Sequence, residues 1–142
     1  MAAPTPASLE TLKTGLLEEK AAAARKHMQQ CNLCPRRCGV NRLAGETGFC
    51  RTADRAWVSS FAPHFGEEAP LVGNGGSGTI FFTHCNLLCN FCQNYDISHE
   101  GHGTTVTDEE LAQTMIALQK TGCHNINFVS PPHVVPQILS AL

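Results

Sequence analysis

Three cysteines fall within eight residues of this 142-residue chain, directly after a short run of strand-forming residues. The run Thr79 to Thr83 is rich in β-branched and aromatic side chains and predicts a strand. Cys85, Cys89 and Cys92 follow in HCNLLCNFCQN, separated by three and then two residues, so their thiolates can converge on one soft-metal site. Three thiolates on a four-iron cubane leave one iron open for a small chelating molecule.

Two other readings of these thiols stay open at this point. A structural zinc ion normally has four closed ligands, and His84 is the only neighbouring candidate for the fourth. The cysteines could equally be buried as small apolar side chains. The short spacing and the position at a strand end favour the open iron–sulfur cluster.

The elements after this loop alternate between strand and helix. Thr107 and Glu110 form a capping box, and Leu111, Met115 and Leu118 then predict one buried face of a helix that Gly122 can end. Residues 125–129 predict a second strand, and residues 134–142 the first turns of another helix. The alternation predicts an α/β chain with parallel βα units. Two units have open edges, so we expect the chain to be part of a larger domain.

Upstream, the sequence predicts a helix and then a Cys-rich loop. Ser8 can cap a helix that continues to about residue 30, with Gly15 as a weak point. Residues 61–78 contain too many Pro and Gly for a regular element. The expected division is an N-terminal helix in 1–30, a Cys-rich knuckle in 31–56, and two incomplete βα units in 57–142.

The knuckle contains a second cysteine group of a different spacing. Cys31, Cys34, Cys38 and Cys50 form C-x2-C-x3-C-x11-C, which suits tetrahedral zinc or a second iron–sulfur cluster. Reduced structural thiols are the alternative. The neighbouring arginines are expected to form a solvated face of this knuckle; they are Arg36, Arg37, Arg42 and Arg51.

The segment CNLLCNFC at a strand end resembles the C-x-x-x-C-x-x-C signature of the radical S-adenosylmethionine (SAM) superfamily. CNLCPRRCGVNR, HFGEEAP, GSGTIFF and NINFVSPPH, in this order, are similar to the branch related to pyruvate formate-lyase activating enzyme. The resemblance implies the N-terminal part of a radical SAM partial (βα) barrel, a [4Fe-4S] cluster, and reductive cleavage of SAM to a 5′-deoxyadenosyl radical.

The resemblance also implies roles for individual residues. Phe91 matches an aromatic position beside the adenine of SAM, with core filling as the alternative. Asn94 follows the cysteine loop closely enough to line its cavity. The Gly-Gly-Glu motif expected after the second strand is replaced by Ser130, Pro131, Pro132 and His133. Ser130 or His133 could contact SAM instead, or this segment could be a rigid turn.

Charge and composition bear on partners and location. A net charge of −2 and a sequence pI near 6.4 give no broad basic field, so nucleic acid is not expected as a partner. No targeting or membrane segment is evident, and eight cysteines suit the reducing cytoplasm. The resemblance implies an electron donor such as flavodoxin or ferredoxin, and a protein substrate as one option. A non-catalytic metal-binding or electron-transfer module and an inactive truncated fragment are the competing hypotheses.

Overall fold

A computed structural model describes residues 7–142, apart from the side chain of Ser8, so the predicted Ser8 cap lies outside the described part. The N-terminal region contains two helices, α1 (Ala7–Lys13) and α2 (Leu16–Lys26). Gly15 separates them in the left-handed conformation with φ of 74°. The prediction of one helix continuing to residue 30 is therefore wrong, and the weak point at Gly15 is its break.

A four-stranded sheet forms the centre of the chain, with strand order β3-β1-β2-β4. Its strands are β1 (Ala56–His64), β2 (Ser77–Phe82), β3 (Thr104–Val106) and β4 (Asn125–Val129). β1 pairs antiparallel with β2 and β3, whereas β2 and β4 are parallel, with Ile80 opposite Phe128. β2 and β4 match the two predicted strands closely.

The predicted partial (βα) barrel is contradicted by this topology. The sheet is open and mixed, and only one of its three strand pairings is parallel. The parallel unit was predicted correctly, but β1 was missed because Pro63 and the glycines that follow suggested an irregular segment. Within residues 7–142, β3 covers β1 only from Ala56 to Val58, so Pro63 lies where this edge of β1 has no described partner strand and its missing N–H is tolerated.

The longest helix packs on one face of the sheet. It is α5 (Asp108–Lys120), and the predicted capping box is present: the Thr107 hydroxyl accepts from the Glu110 N–H at 3.1 Å, and the Glu110 carboxylate accepts from the Thr107 N–H at 2.7 Å. Its predicted apolar face is buried against Ile80 and Phe82 of β2. Burying one such leucine contributes about 2 kcal/mol.

Shorter helices complete the fold. α3 (Ala69–Val72) lies between β1 and β2, and α4 (Tyr95–Ser98) follows the cysteine loop. After β4, a 3-10 turn (Pro131–Val134) leads into α6 (Val135–Ala141), which packs against α2 and α5. Within residues 7–142, none of the helices has the length and apolar character required to cross a membrane.

Candidate metal centre

The cysteine loop lies at the carboxyl end of β2, where the chain turns sharply. His84 has a positive φ of 57°, and its N–H donates to the Ile97 carbonyl at 2.8 Å. The ring of His84 packs edge-on against Trp57 at 5.4 Å, and burial lowers the pKa of this imidazole below its usual value. His84 is therefore engaged in packing and does not line the cavity described next.

Cys85, Cys89 and Cys92 line one cavity of about 110 Å³, which we call the thiol cavity. Asn94 and Ser130, two of the residues predicted to bind SAM, line it as well. The apolar part of its wall comes from β2, β4, α4 and Leu87 of the loop itself, with Phe82, Val129 and Ile97 among the lining residues. Neighbouring parallel strands thus bring the ends of β2 and β4 to one place, which is why residues 45 positions apart line the same cavity.

Two of the three sulfur atoms accept hydrogen bonds. The Leu87 N–H donates to Cys85 Sγ, and the Ser98 hydroxyl donates to Cys92 Sγ, both at 3.3 Å. Such donors stabilise a thiolate or a metal-bound sulfur because they offset its negative charge. Sequence reasoning missed Ser98, since nothing in the sequence marks a serine six residues after Cys92 as a donor.

The three thiols differ in exposure. Cys85 is buried, Cys92 is half-buried and Cys89 is exposed, and all three are free. Phe91 is fully exposed, so the core-filling alternative for this ring is wrong. The loop therefore runs from the protein interior to the surface, with an uncovered aromatic ring beside its last cysteine.

Ser130 and His133 have separate roles, although sequence reasoning treated them as alternatives. Ser130 faces the thiol cavity with a positive φ of 59°. His133 is 1% exposed, and its Nε2 lies 3.1 Å from the Thr83 carbonyl oxygen, to which it donates. Burial lowers the pKa of His133 from 6.5 to about 4, with Arg42 and His84 acting in the same direction. His133 thus braces the end of β2 from outside the cavity.

The knuckle places its four cysteines on adjacent backbone segments. The Cys31 N–H donates to Val40 O and the Gly39 N–H donates to Cys31 O, both at 2.9 Å. Cys38 Sγ accepts a hydrogen bond from the Phe49 N–H at 3.3 Å, which draws the Cys50 segment towards it. Cys31 and Cys50 are buried, and Cys34 and Cys38 are half-buried.

The side chains of three knuckle arginines donate to backbone carbonyls, and two of these side chains reach carbonyls outside the knuckle. Arg36 donates to Asn86 O and Leu87 O at 3.0 and 3.3 Å, and Arg51 donates to His99 O at 3.2 Å. Arg42 is 1% exposed and donates to Ala53 O of the knuckle at 2.9 Å and to His133 O at 2.7 Å. The expected solvated face is wrong for Arg42, whereas Arg36 and Arg51 are exposed but tie the knuckle to the cysteine loop and to the residue after α4.

Among the described residues, the donor side chains do not form a ready-made site for a single metal ion. In the part of the chain described, no three His, Cys, Asp or Glu side chains are close enough together to hold one metal ion. A [4Fe-4S] cubane is broader than a single ion, and its usual ligands are cysteine thiolates like those lining the thiol cavity. The three thiols, with their two hydrogen-bond donors, fit that group.

Comparison with known proteins gives one similar chain of unstated activity. An uncharacterized protein of Methanocaldococcus jannaschii is 38% identical over 141 residues, in an alignment that covers 94% of this chain. The chain spans about 40% of the length of that relative. No protein-family model matches the chain, and no solved structure matches it.

Proposed function

We propose that the thiol cavity holds a [4Fe-4S] cluster with one iron open to SAM, and that the protein is a radical SAM enzyme. The observation that carries this proposal is that Cys85, Cys89 and Cys92 line one cavity together with Asn94 and Ser130. When bound, the cluster supplies the electron that cleaves SAM to methionine and a 5′-deoxyadenosyl radical.

The protein residues position and tune this chemistry. The N–H of Leu87 and the hydroxyl of Ser98 donate to ligand sulfurs, and such hydrogen bonds raise the reduction potential of a cluster. Asn94 and Ser130 present polar side chains to the same cavity, where they suit the amine and carboxylate of SAM. The exposed ring of Phe91 is free to stack on the adenine.

The exposed ligand suggests how the electron enters. Cys89 lies at the surface while Cys85 is buried, so one edge of the site is close to solvent. A small electron carrier such as flavodoxin or ferredoxin can approach that edge. All eight cysteines are free, which suits the reducing cytoplasm as the compartment. A protein substrate is the option that the resemblance to activating enzymes favours.

Electron paramagnetic resonance of the anaerobically reconstituted, reduced chain tests this function. We expect a [4Fe-4S] signal whose g values shift when SAM is added, because SAM coordinates the open iron. A non-catalytic metal-binding or electron-transfer module gives a signal that ignores SAM. If the cluster forms fully but SAM neither binds nor changes its spectrum, the enzyme proposal is rejected.

We also propose that the knuckle cysteines hold one zinc ion or a second iron–sulfur cluster. Cys31, Cys34, Cys38 and Cys50 are all free, and Phe49 donates to one of their sulfurs as donors do in metal knuckles. Binding a single ion requires the thiols to draw closer than they stand, and metal binding commonly completes the folding of such loops.

Metal analysis of Cys38→Ser checks the knuckle site. We expect the variant to lose about one equivalent of zinc, or the iron of one cluster, relative to the parent chain. Cys123→Ser is the matched control, because Cys123 lies outside both cysteine groups and its sulfur contacts only the Thr121 hydroxyl among the described hydrogen bonds, at 3.5 Å. Equal metal content in parent and Cys38→Ser contradicts the knuckle site.

A further inference from the structure

A continuous series of contacts joins the two cysteine groups. Cys38 Sγ accepts a hydrogen bond from the Phe49 N–H at 3.3 Å. The guanidinium of Arg36 stacks over the Phe49 ring, 3.8 Å from the ring centroid. Arg36 in turn donates to Asn86 O and Leu87 O. The Leu87 N–H then donates to Cys85 Sγ. Each step is a direct contact between neighbouring groups, from one ligand sulfur to the other.

The cysteine loop depends on this support because it has little of its own. Among residues 7–142, no backbone-to-backbone hydrogen bond outside helices and strands involves residues 85–88. Leu88 is held at a positive φ of 51°, which costs of the order of 1 kcal/mol for a non-glycine residue. A loop that has a strained residue and few backbone hydrogen bonds of its own keeps one conformation only if contacts from other segments stabilise it.

Arg36 has the geometry to hold it. The guanidinium is planar and presents several donors in a fixed fork, so Nε and one Nη reach two successive carbonyls at the same time. Stacking on Phe49 fixes the plane of that fork and reduces the rotamer freedom lost on bonding. Asn86 and Leu87 immediately precede the strained Leu88, so the bonds act at the point where the loop needs them.

We propose that Arg36 is a positioning residue for Cys85, and that the Cys-rich knuckle is the base that holds Arg36 in place. By fixing the Asn86–Leu87 turn, Arg36 directs the Leu87 N–H at the sulfur. The knuckle thereby controls the hydrogen bonding, and hence the reduction potential, of the thiol site. The identity of the group that Cys85 ligates rests on the proposed function, whereas the positioning of the loop by Arg36 does not.

Amide hydrogen exchange at Leu87 in the metal-free, reduced protein tests the positioning directly. We expect Arg36→Gln to speed exchange of this amide about tenfold, because a charge-assisted pair of bonds at an exposed site is lost. Arg36→Lys keeps the charge but not the fork, and we expect most of the same increase. Arg37→Gln, which removes a neighbouring exposed charge, is the matched control and should leave exchange unchanged.

The midpoint potential of the reconstituted cluster separates positioning from simple charge. Loss of the N–H to sulfur bond shifts the potential to more negative values in both Arg36→Gln and Arg36→Lys. If the charge alone mattered, Arg36→Lys would match the parent and Arg37→Gln would resemble Arg36→Gln. Either of those results overturns the positioning role.

The two proposals fail in different ways. Unchanged Leu87 exchange in a folded Arg36→Gln protein, with folding confirmed by the fluorescence of the single tryptophan Trp57, rejects positioning whatever the cluster does. Faster exchange in a protein that never assembles a cluster supports positioning and rejects the proposed function.

Discussion

Replacing Cys85 by alanine removes the cluster and every SAM-dependent spectral change from the reconstituted protein. Cys85 is the buried ligand, and its sulfur accepts the Leu87 hydrogen bond. With two thiolates remaining in the cavity, a cubane has lost one of the three protein ligands that would hold it. We expect iron assigned to this site to fall from about four atoms per chain to background, measured together with the reduced spectrum.

Cys123→Ala is the control for this experiment. Cys123 is half-buried and packs against the hydrophobic core, away from the thiol cavity. Its replacement removes one thiol from the chain without removing a proposed ligand, so the signal and its response to SAM should persist. A Cys85→Ala protein that keeps a SAM-responsive cluster, or a Cys123→Ala protein that loses it, contradicts the ligand assignment.

Local sequence signals predicted the parts of the fold that depend on neighbouring residues. The capping box at Thr107 and the buried face of α5 each depend on residues a few positions apart, so both can be recognised from the sequence alone. The same holds for β4, whose predicted and observed bounds agree. Gly15 was recognised as a weak point but not as a break, because propensity alone does not give its positive φ.

The sheet topology could not be obtained in this way. β1 contributes Ala56 and Val58 to the core, yet Pro63 and the residues after it are typical of a loop. Whether such a segment joins a sheet depends on which partner strand is available, here β2 on one side and the short β3 on the other. The alternating strand and helix pattern therefore predicted parallel βα units, whereas the sheet also contains the antiparallel strands β1 and β3 on the β2 side of the parallel pair.

The candidate site was likewise predicted in its local features but not in all of its long-range contacts. The three cysteines were placed on one cavity by their spacing and by the strand before them, as expected of residues in one short loop. Asn94 and Ser130 reach that cavity too, but the arginine contacts were missed. Arg36 and the Leu87 carbonyl are 51 positions apart, and no periodicity connects them.

His133 gives the chain a stability that depends on pH. In the folded protein burial holds the pKa of this imidazole at about 4, below its ordinary value of 6.5. Above pH 6.5 the ring is neutral in both states, and the full stability is present. As pH falls from 6.5 towards 4, the unfolded chain binds the proton first, so stability is lost, and the loss levels off once the folded ring also protonates.

The size of this effect follows from the pKa difference. Each pKa unit corresponds to about 1.4 kcal/mol, so the free energy of unfolding should fall by about 3 kcal/mol across this range. His133→Gln is the comparison variant, because its amide N–H can still donate to the Thr83 carbonyl but does not titrate in this range. Denaturant unfolding of the reduced, metal-free proteins, followed by Trp57 fluorescence, measures both.

The comparison isolates His133 from other groups that titrate in the same range. His84 also has a pKa lowered by burial and lies close enough to act on His133, but it is present in both proteins. We expect the parent to lose about 3 kcal/mol more than His133→Gln on acidification. Parallel losses in the two proteins would mean that His133 is already accessible to protons in the folded state, and that it does not brace Thr83 from a buried position.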